Sequence, residues 1–150
     1  MRKPHSRKRY RAIWKIHRWV WDATGGRLGR RAVGMSVLEL VTTGHKSGER
    51  RRVLLNYLTT PDGPAVVGSN VGDDSDPAWA KNLRAHLEAD VREAGRWHRV
   101  RARQVDGEDY ERLFGEFVKV QPDYGEYRSR TDRHIPVFVL EAEPGARESA

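Results

Sequence analysis

The chain has 150 residues, which is enough for a single domain whose hydrophobic core is stable without disulfides. It contains no cysteine, which excludes a disulfide framework, a thiolate nucleophile and a cysteine-ligated zinc site. The formal net charge is +7, but residues 1–34 carry 11 Lys/Arg and one Asp, whereas the rest carries 17 Lys/Arg and 20 Asp/Glu. The basic character belongs to the N-terminal segment, so nucleic acid is not an expected partner.

The N-terminal segment predicts a basic amphipathic helix over residues 7–22. Aromatic and aliphatic side chains recur there at three- and four-residue spacing, and Arg and Lys lie on the opposite side. Such a helix either packs on protein, on its own domain or on a second subunit of a homodimer, or lies on an anionic membrane surface. No apolar run has membrane-spanning length and no secretion signal is evident. The expected location is therefore the cytoplasm, at the inner face of the cell membrane if the helix binds lipid.

After the basic segment, the sequence predicts short strands separated by turns. Six segments have strand-like apolar patterns: Val37–Thr43, Arg51–Leu58, Ala65–Ser69, Ala89–Glu93, Arg96–Gln104 and Ile135–Glu141. Asp76 as N-cap and Pro77 as first helical residue predict a helix to about Leu87. Asp106 predicts the cap of a second helix to about Val120. Consecutive hairpins with helices inserted at one side predict a mainly β, α+β fold built on an antiparallel barrel. We expect a basic arm over 1–34, this domain over 35–143 and a polar, disordered tail over 144–150.

The segment Thr43–Arg52 is the richest candidate for a ligand site. Its two glycines allow a tight turn that directs successive N–H groups into one concavity. Lys46 and Arg51 add positive charge, and the Ser47 hydroxyl is a further donor. The pattern suits a phosphate, although from composition alone an ordinary hairpin turn with solvated charges is the simpler interpretation.

A second candidate extends from Gly68–Asn70 to Trp79 and Asn82. A small, polar strand end followed by a glycine-bearing loop lets a planar ring approach the backbone, with Trp79 as its cover. Trp79 fits a core position on an amphipathic helix equally well. The six histidines have no HxxxH spacing, so no metal site is expected.

A third candidate is the tyrosine-rich segment before the last strand. Tyr124 and Tyr127 share one face of a helix, and a phenol can orient a substrate or donate a proton. Asp132 and Arg133, which follow, are expected to form a structural ion pair that holds this segment on the barrel.

Three stretches in this order closely resemble the deazaflavin-dependent nitroreductase family: TTGHKSGERRRVLLNYL, VVGSNVGDDSDPAWAKNL and PDYGEYRSRTDRHIPVFVLE. The resemblance covers about residues 36–142 and rests on the combination of TG-x-KSG, W-x-x-NL and TDR-x-IPV. Proteins of that family are split β-barrel oxidoreductases that use coenzyme F420, an 8-hydroxy-5-deazaflavin. The resemblance implies a split antiparallel barrel of the FMN-binding type. It also implies an F420-dependent reductase that transfers a hydride to a quinone, an activated enone or a nitro compound.

The same resemblance implies roles at matching positions. Lys46, Ser47 and Arg51 would hold the phosphate and acidic tail of the cofactor, with His45 alongside. The residues expected to line or close the ring pocket are Leu54, Leu55, Asn56, Val67, Gly68, Ser69, Asn70, Ala78, Trp79, Ala80, Lys81 and Asn82. Tyr124 and Tyr127 would face the substrate as the catalytic residues.

The chain departs from that family pattern at a few positions. The family commonly has arginine where this chain has His45, so the grip on the phosphate is expected to depend on pH near neutrality. Gln121 stands where some active nitroreductases carry a tyrosine, which makes a nitroimidazole a less expected substrate. Two alternatives remain open: a related split-barrel enzyme that uses FMN, and a non-catalytic carrier of a cofactor or lipid-like molecule.

Overall fold

A computed structural model describes residues 31–32 and 35–143 of the chain. The predicted helix over 7–22, most of the predicted arm and the tail over 144–150 lie outside the described residues. Within them, no helix is both long enough and apolar enough to cross a membrane.

Seven strands and three helices make up the described fold. The strands are β1 (Arg31–Ala32), β2 (Met35–Thr43), β3 (Arg50–Thr60), β4 (Gly63–Val67), β5 (Glu88–Glu93), β6 (Arg96–Gln104) and β7 (Val137–Ala142). The helices are α1 (Ala78–Ala85), α2 (Gly107–Val120) and α3 (Asp123–Ser129), and a 3-10 turn covers Asn70–Gly72. All six predicted strands and both predicted helices are present, within a few residues of their expected ends. The two-residue strand β1 was not predicted, because two residues carry no periodic pattern.

The strands form one antiparallel sheet that closes on itself. Their order is β1-β2-β3-β4-β7-β6-β5, and β5 also pairs with β2. The closing register joins Leu40 to Val91, while on its other side Leu40 faces Val53 of β3. A six-stranded barrel results, which confirms the predicted antiparallel barrel, and closure leaves none of its six strands as an open edge.

Two apolar cores lie on the two faces of the barrel wall. The inner core contains Leu38, Leu40, Val66, Phe138 and Leu140, and α1 adds Trp79, Ala80 and Leu83 to it. The outer core lies between the wall and helices α2 and α3, and contains Met35, Ala65, Val67, Phe114, Phe117, Tyr124, Tyr127, Ile135, Val137 and Val139. Successive residues of a strand point to opposite faces, so β4 and β7, which are buried on both faces, read as continuous apolar runs.

The start of α1 differs from the sequence prediction. Pro77 itself occupies the N-cap position and no side chain caps the helix. The carboxylate of Asp76, the predicted cap, instead binds the guanidinium groups of Arg84 and Arg133. An ionised carboxylate gains more from two cations than from one backbone N–H, so the tertiary contact overrides the local capping preference.

The end of α1 also differs from the prediction, because the helix stops at Ala85 rather than near Leu87. The carbonyl oxygen of Leu87 accepts a hydrogen bond from the main-chain N–H of Ala102 at 2.7 Å, so the chain has already turned to join β6. Pairing of the chain with β6 thus ends the helix earlier than its own sequence pattern predicts.

Candidate functional site

A cavity of about 620 Å³ lies between the β2–β3 turn, the first residues of β3 and helix α1. Its lining is strongly cationic and includes one indole: Thr42, Gly44, His45, Lys46, Ser47, Arg51, Arg52, Val53, Ala78, Trp79 and Asn82. The cavity therefore unites the first predicted candidate, the glycine-containing turn, with the predicted tryptophan and asparagine of α1, 30 or more residues away along the chain.

The turn that forms one wall of the cavity is closed by its own backbone. The N–H of Gly44 donates to the carbonyl of Glu49 at 2.7 Å, and the N–H of Gly48 donates back to the carbonyl of Gly44 at 2.9 Å. Gly48 has a φ of 72°, in the left-handed region that glycine enters without steric cost. Among the described residues, the main-chain N–H groups of Lys46 and Ser47 have no hydrogen-bond partner, so both are available to an anion.

Asn82 fastens this turn to helix α1. Its side-chain oxygen accepts hydrogen bonds from the main-chain N–H of His45 at 2.9 Å and contacts the ring Nδ1 of His45 at 2.7 Å. Its side-chain nitrogen donates to Thr42 Oγ1 at 3.0 Å. Asn82 and Thr42 are both buried. Both ends of the Asn82 amide therefore bind protein groups, so Asn82 supports the turn that lines the cavity.

The cationic side chains of the cavity differ in how strongly they are paired with protein carboxylates. Arg52 pairs with Glu39, a buried carboxylate on β2 that also binds Arg92 at 2.8 Å. Arg51 pairs with Glu49 at 2.9 Å, but both side chains are mostly exposed, so the pair is weak. In the described part of the chain, Lys46 has no ion-pair partner at all. Lys46 and Arg51 are therefore the cations that a bound anion can recruit. Arg52 is a lining residue that sequence reasoning did not single out.

Arg133 holds the loop between β4 and α1 in place. Its guanidinium donates to the carbonyls of Gly68 at 3.2 Å, Ser69 at 2.9 Å and Asp73 at 3.0 Å, and it pairs with the carboxylate of Asp76. The expected pairing of Arg133 with its neighbour Asp132 is therefore wrong. The donors of the guanidinium are instead occupied by four acceptors of one loop, which leaves none directed at the carboxylate of the preceding residue.

The loop that Arg133 holds contains backbone strain. Asn70, Val71 and Gly72 have φ values of 45°, 56° and 77°. Asparagine adopts a left-handed conformation more readily than most residues, but this conformation is costly for a β-branched valine. Strain of this kind persists only where surrounding contacts fix the backbone, and the guanidinium contacts on both sides of these residues do so.

Tyr124 and Tyr127 lie elsewhere, on α3 over the outer face of the barrel. Their rings meet edge to face with centroids 5.9 Å apart, and both side chains are buried. Burial raises the pKa of Tyr124 to about 12, and a hydrogen bond with the Asn56 side chain lowers it slightly against that trend. The Asn56 Oδ1 atom is itself buried without a partner among the described residues.

The other residues predicted to line the ring pocket divide between the two faces of the barrel wall. Leu54 and Val67 are buried with Asn56 on the outer side, toward the tyrosines. Leu55 packs against the inner core, Ala80 lies fully inside it, and Lys81 is exposed away from the cavity lining. The remaining three, Gly68, Ser69 and Asn70, belong to the loop that Arg133 holds. The structure thus unites the phosphate candidates in one cavity and places the ring and substrate candidates around a second region.

The arrangement is that of a split-barrel protein with a cationic cavity beside one of its turns, and comparisons with known proteins agree with the fold. A family model described as F420H(2)-dependent quinone reductase matches residues 13–142. An F420H(2)-dependent quinone reductase of Mycobacterium tuberculosis is 34% identical over 132 residues, which cover 85% of this chain and 89% of that protein.

Two solved structures share the fold at similar identity. One is described as an F420-H2 dependent reductase and has a TM-score of 0.64, with 35% identity over 70% of this chain and 93% of that one. The other is described as a domain-swapped dimer and has a TM-score of 0.66, with 32% identity over 83% of this chain and 98% of that one.

The chain belongs to the F420H(2)-dependent quinone reductase family. It is an F420-dependent reductase, and its cofactor is coenzyme F420 rather than FMN. The residues present fit such a cofactor on two counts. The cavity offers uncommitted cations and N–H groups to a phosphate, and Asn56 offers a buried acceptor that lacks a partner.

Replacing Arg133 by lysine tests whether its fork of donors holds the loop. Lysine keeps the charge but cannot bind four acceptors in one plane, so we expect Arg133→Lys to lower the free energy of unfolding by about 1.5–3 kcal/mol in urea titrations. The control is Arg112→Lys, because Arg112 makes an exposed pair with Asp109 and its replacement should change stability by less than about 0.5 kcal/mol. Equal stability of the two variants would contradict the role given to Arg133.

Proposed function

We propose that this chain reduces a quinone at the expense of reduced F420, with the cationic cavity as the anchor for the cofactor. The observation that carries the proposal is the pairing of an uncommitted Lys46 with available N–H groups in one turn, opposite Trp79. Anions favour such a turn because the backbone dipoles and the cations act together. The relatives described as F420H(2)-dependent quinone reductases support a quinone as the acceptor. Activated enones and nitro compounds are further electron-poor acceptors to be assayed.

The residues divide between two tasks in this proposal. Lys46, Ser47 and Arg51 bind the phosphate and acidic tail, and His45 lies beside them. The ring follows the outer side of the wall and the loop beside it: Leu54, Asn56, Val67, Gly68, Ser69 and Asn70. Ala78 and Trp79 line the cavity that holds the tail. Leu55 and Ala80, which pack in the inner core, Lys81, which is exposed away from the cavity, and Asn82, which supports the turn, have no contact with the ring in this proposal. When bound, reduced F420 supplies a hydride, and a quinone that accepts this hydride and one proton becomes a quinol. The protein contributes orientation and the exclusion of water.

Tyr124 is the proposed proton donor to the reduced acceptor, and Tyr127 is its packing partner. Because its pKa is raised to about 12, the phenol keeps its proton at neutral and mildly alkaline pH. The neighbouring Asn56 side chain lowers that pKa, against the larger effect of burial. A hydroxyl that stays protonated next to the ring pocket can donate its proton to a quinone oxygen.

Replacing Lys46 or Arg51 by alanine tests the anchor. We expect each change to weaken F420 binding about tenfold, because each removes one charge-assisted contact at an exposed site. Fluorescence titration of F420 measures the dissociation constant, and FMN titrated in parallel tests the choice of cofactor. The control is Lys119→Ala, which removes an exposed lysine from the far end of α2. If all three variants bind F420 as the parent chain does, the cavity is not the phosphate site.

Replacing Tyr124 by phenylalanine tests the proton donor. We expect kcat for quinone reduction to fall at least about tenfold while the dissociation constant for F420 changes less than about twofold. The parent enzyme should show no alkaline loss of kcat from this group below about pH 11, since the donor form persists until the pH approaches the raised pKa.

The matched control is Tyr110→Phe, which removes another buried hydroxyl, one that donates to the carbonyl of Ile135 at 2.8 Å outside the proposed site. That variant should lose stability but keep its kcat. An unchanged kcat in Tyr124→Phe would exclude Tyr124 as the donor.

The basic segment over residues 7–22 is proposed to act at a cytoplasmic membrane surface, where a lipid-soluble quinone is found. Its support is the sequence: six Lys/Arg and three Trp within 16 residues. The alternative is a contact with a second subunit, which the relative described as a domain-swapped dimer supports.

Sedimentation of the full chain tests these two roles of the basic segment. We expect the chain to sediment with anionic vesicles and the variant with Arg7, Lys8, Arg9 and Arg11 replaced by glutamine to bind several-fold less, with neutral vesicles as the control. The same two chains without vesicles report the oligomeric state. Equal vesicle binding combined with loss of a dimer in the variant would reject the membrane role and favour the subunit contact.

A further inference from the structure

We propose that Asn82 is a positioning residue that fixes the ring of His45 in one tautomer and so makes the anion cavity sensitive to pH. This inference rests on the proposed function, since it concerns how the same cavity holds the phosphate of F420. It adds that Asn82 acts through His45 rather than on the cofactor, and that only one ring nitrogen, Nε2, responds to protonation.

The orientation of the Asn82 amide follows from its partners. The main-chain N–H of His45 can only donate, so the atom 2.9 Å from it must be the side-chain oxygen of Asn82. The other end of the amide is then the nitrogen, and it donates to Thr42 Oγ1 at 3.0 Å in a fully buried position. The main-chain N–H of His45 by itself excludes the flipped amide, and the Thr42 hydroxyl, which can accept as well as donate, is compatible with the amide orientation that results.

The tautomer of His45 follows from that orientation. The ring Nδ1 lies 2.7 Å from the same Asn82 oxygen, which has no hydrogen to donate. Nδ1 must therefore carry a proton in the neutral ring as well as in the charged one. The second proton can add only at Nε2, and adding it breaks no contact with Asn82. His45 lines the cavity, so Nε2 is the ring nitrogen left for a bound anion.

Protonation changes Nε2 from a hydrogen-bond acceptor into a donor. In the neutral ring Nε2 has a lone pair, which repels an anion. In the charged ring Nε2 carries a proton, which can form a charge-assisted hydrogen bond with the anion. Histidine is the side chain whose charge changes between about pH 5 and 8. Affinity for an anion in this cavity should therefore rise as the pH falls through that interval.

The charges around His45 reinforce this link between the proton and the anion. The turn brings Lys46 and Glu49, and β3 brings Arg51 and Arg52, whose partners are Glu49 and Glu39. The charged residues of α1 are Lys81 and Arg84, and Arg84 is paired with Asp76. A bound phosphate brings negative charge next to the ring and stabilises its charged form, so binding should be accompanied by proton uptake.

Isothermal titration of F420 into the protein between pH 5.5 and 8.5 tests the pH link. We expect the affinity of the parent chain, relative to His45→Gln at the same pH, to rise about three- to tenfold between pH 8 and pH 6. Comparison at equal pH cancels any titration of F420 itself. Buffers of different ionisation enthalpy should show proton uptake with the parent chain and none with His45→Arg, which carries a permanent charge. The control variant is His98→Gln, which removes a histidine from β6 outside the cavity lining.

Nitrogen NMR of the His45 ring tests the positioning role without any cofactor. At pH 8 we expect the shifts of a ring protonated at Nδ1 in the parent chain and a mixture of tautomers in Asn82→Ala. Asn82→Asp, which keeps the size and the acceptor, should retain the Nδ1-protonated ring and move the pH dependence of F420 affinity upward, because a carboxylate stabilises the charged ring. It serves as the second variant if Asn82→Ala does not fold.

The possible outcomes separate this inference from the proposed function. A ring protonated at Nε2 in the parent chain at pH 8 would overturn the role of Asn82. Identical affinities of the parent chain and His45→Gln at every pH, with no proton uptake, would overturn the contact of His45 with the anion. Either result leaves the phosphate anchor standing if Lys46→Ala and Arg51→Ala weaken binding, and the anchor falls only if those two variants bind normally.

Discussion

Closure of the barrel through β2 and β5 is the constraint on which the rest of the structure depends. Because β2 pairs with a strand on each side, its side chains must divide strictly between the inner and the outer face of the wall. Leu38 and Leu40 fill the inside, and Glu39 is held on the outside, where it is buried between two arginines. The wall then has two apolar faces, and α1 and the pair α2 and α3 each cover one of them. Both regions that the cofactor and substrate would use are built on this one wall.

Two polar side chains, the buried Asn82 and the partly buried Arg133, hold the loops that closure leaves outside the sheet. Asn82 joins the β2–β3 turn to α1, and Arg133 joins the end of β4 to the start of α1. Both contacts cross between distant parts of the chain, and both satisfy main-chain groups that no strand or helix pairs. Both sets of contacts involve α1, because Asn82 belongs to this helix and Arg133 binds Asp76 just before it. The helix therefore supports the cavity on one side and the strained loop on the other. A substitution of Asn82 or Arg133 would affect both regions through this helix.

The positive charge available in the cavity depends on which arginines form ion pairs with protein carboxylates. Of the run Arg50–Arg52, the first pairs with Asp90 on β5, and the last pairs with the buried Glu39 on β2. Arg51 lies on the other face of β3 and has only an exposed partner, Glu49. Arg51 and Arg52 both line the cavity, so it is the ion pair of Arg52 with buried Glu39 that leaves Arg51 as the more available arginine, and Lys46 on the turn adds a second available charge.

The sequence by itself determined the barrel, most element boundaries and the tight turn between β2 and β3, because period-two patterns, turn residues and the KSG motif are local signals that need no knowledge of distant contacts. Its resemblance to a known family also pointed to the cofactor. The tertiary structure alone decided that Asp76 binds Arg84 and Arg133 instead of capping α1, that Arg133 does not pair with Asp132, and that Asn82 supports His45. In each case a polar side chain binds a partner that is close in space and distant in sequence, instead of a partner that is close in sequence. The choice depends on where the folded chain brings buried donors and acceptors together, which no spacing within the sequence encodes.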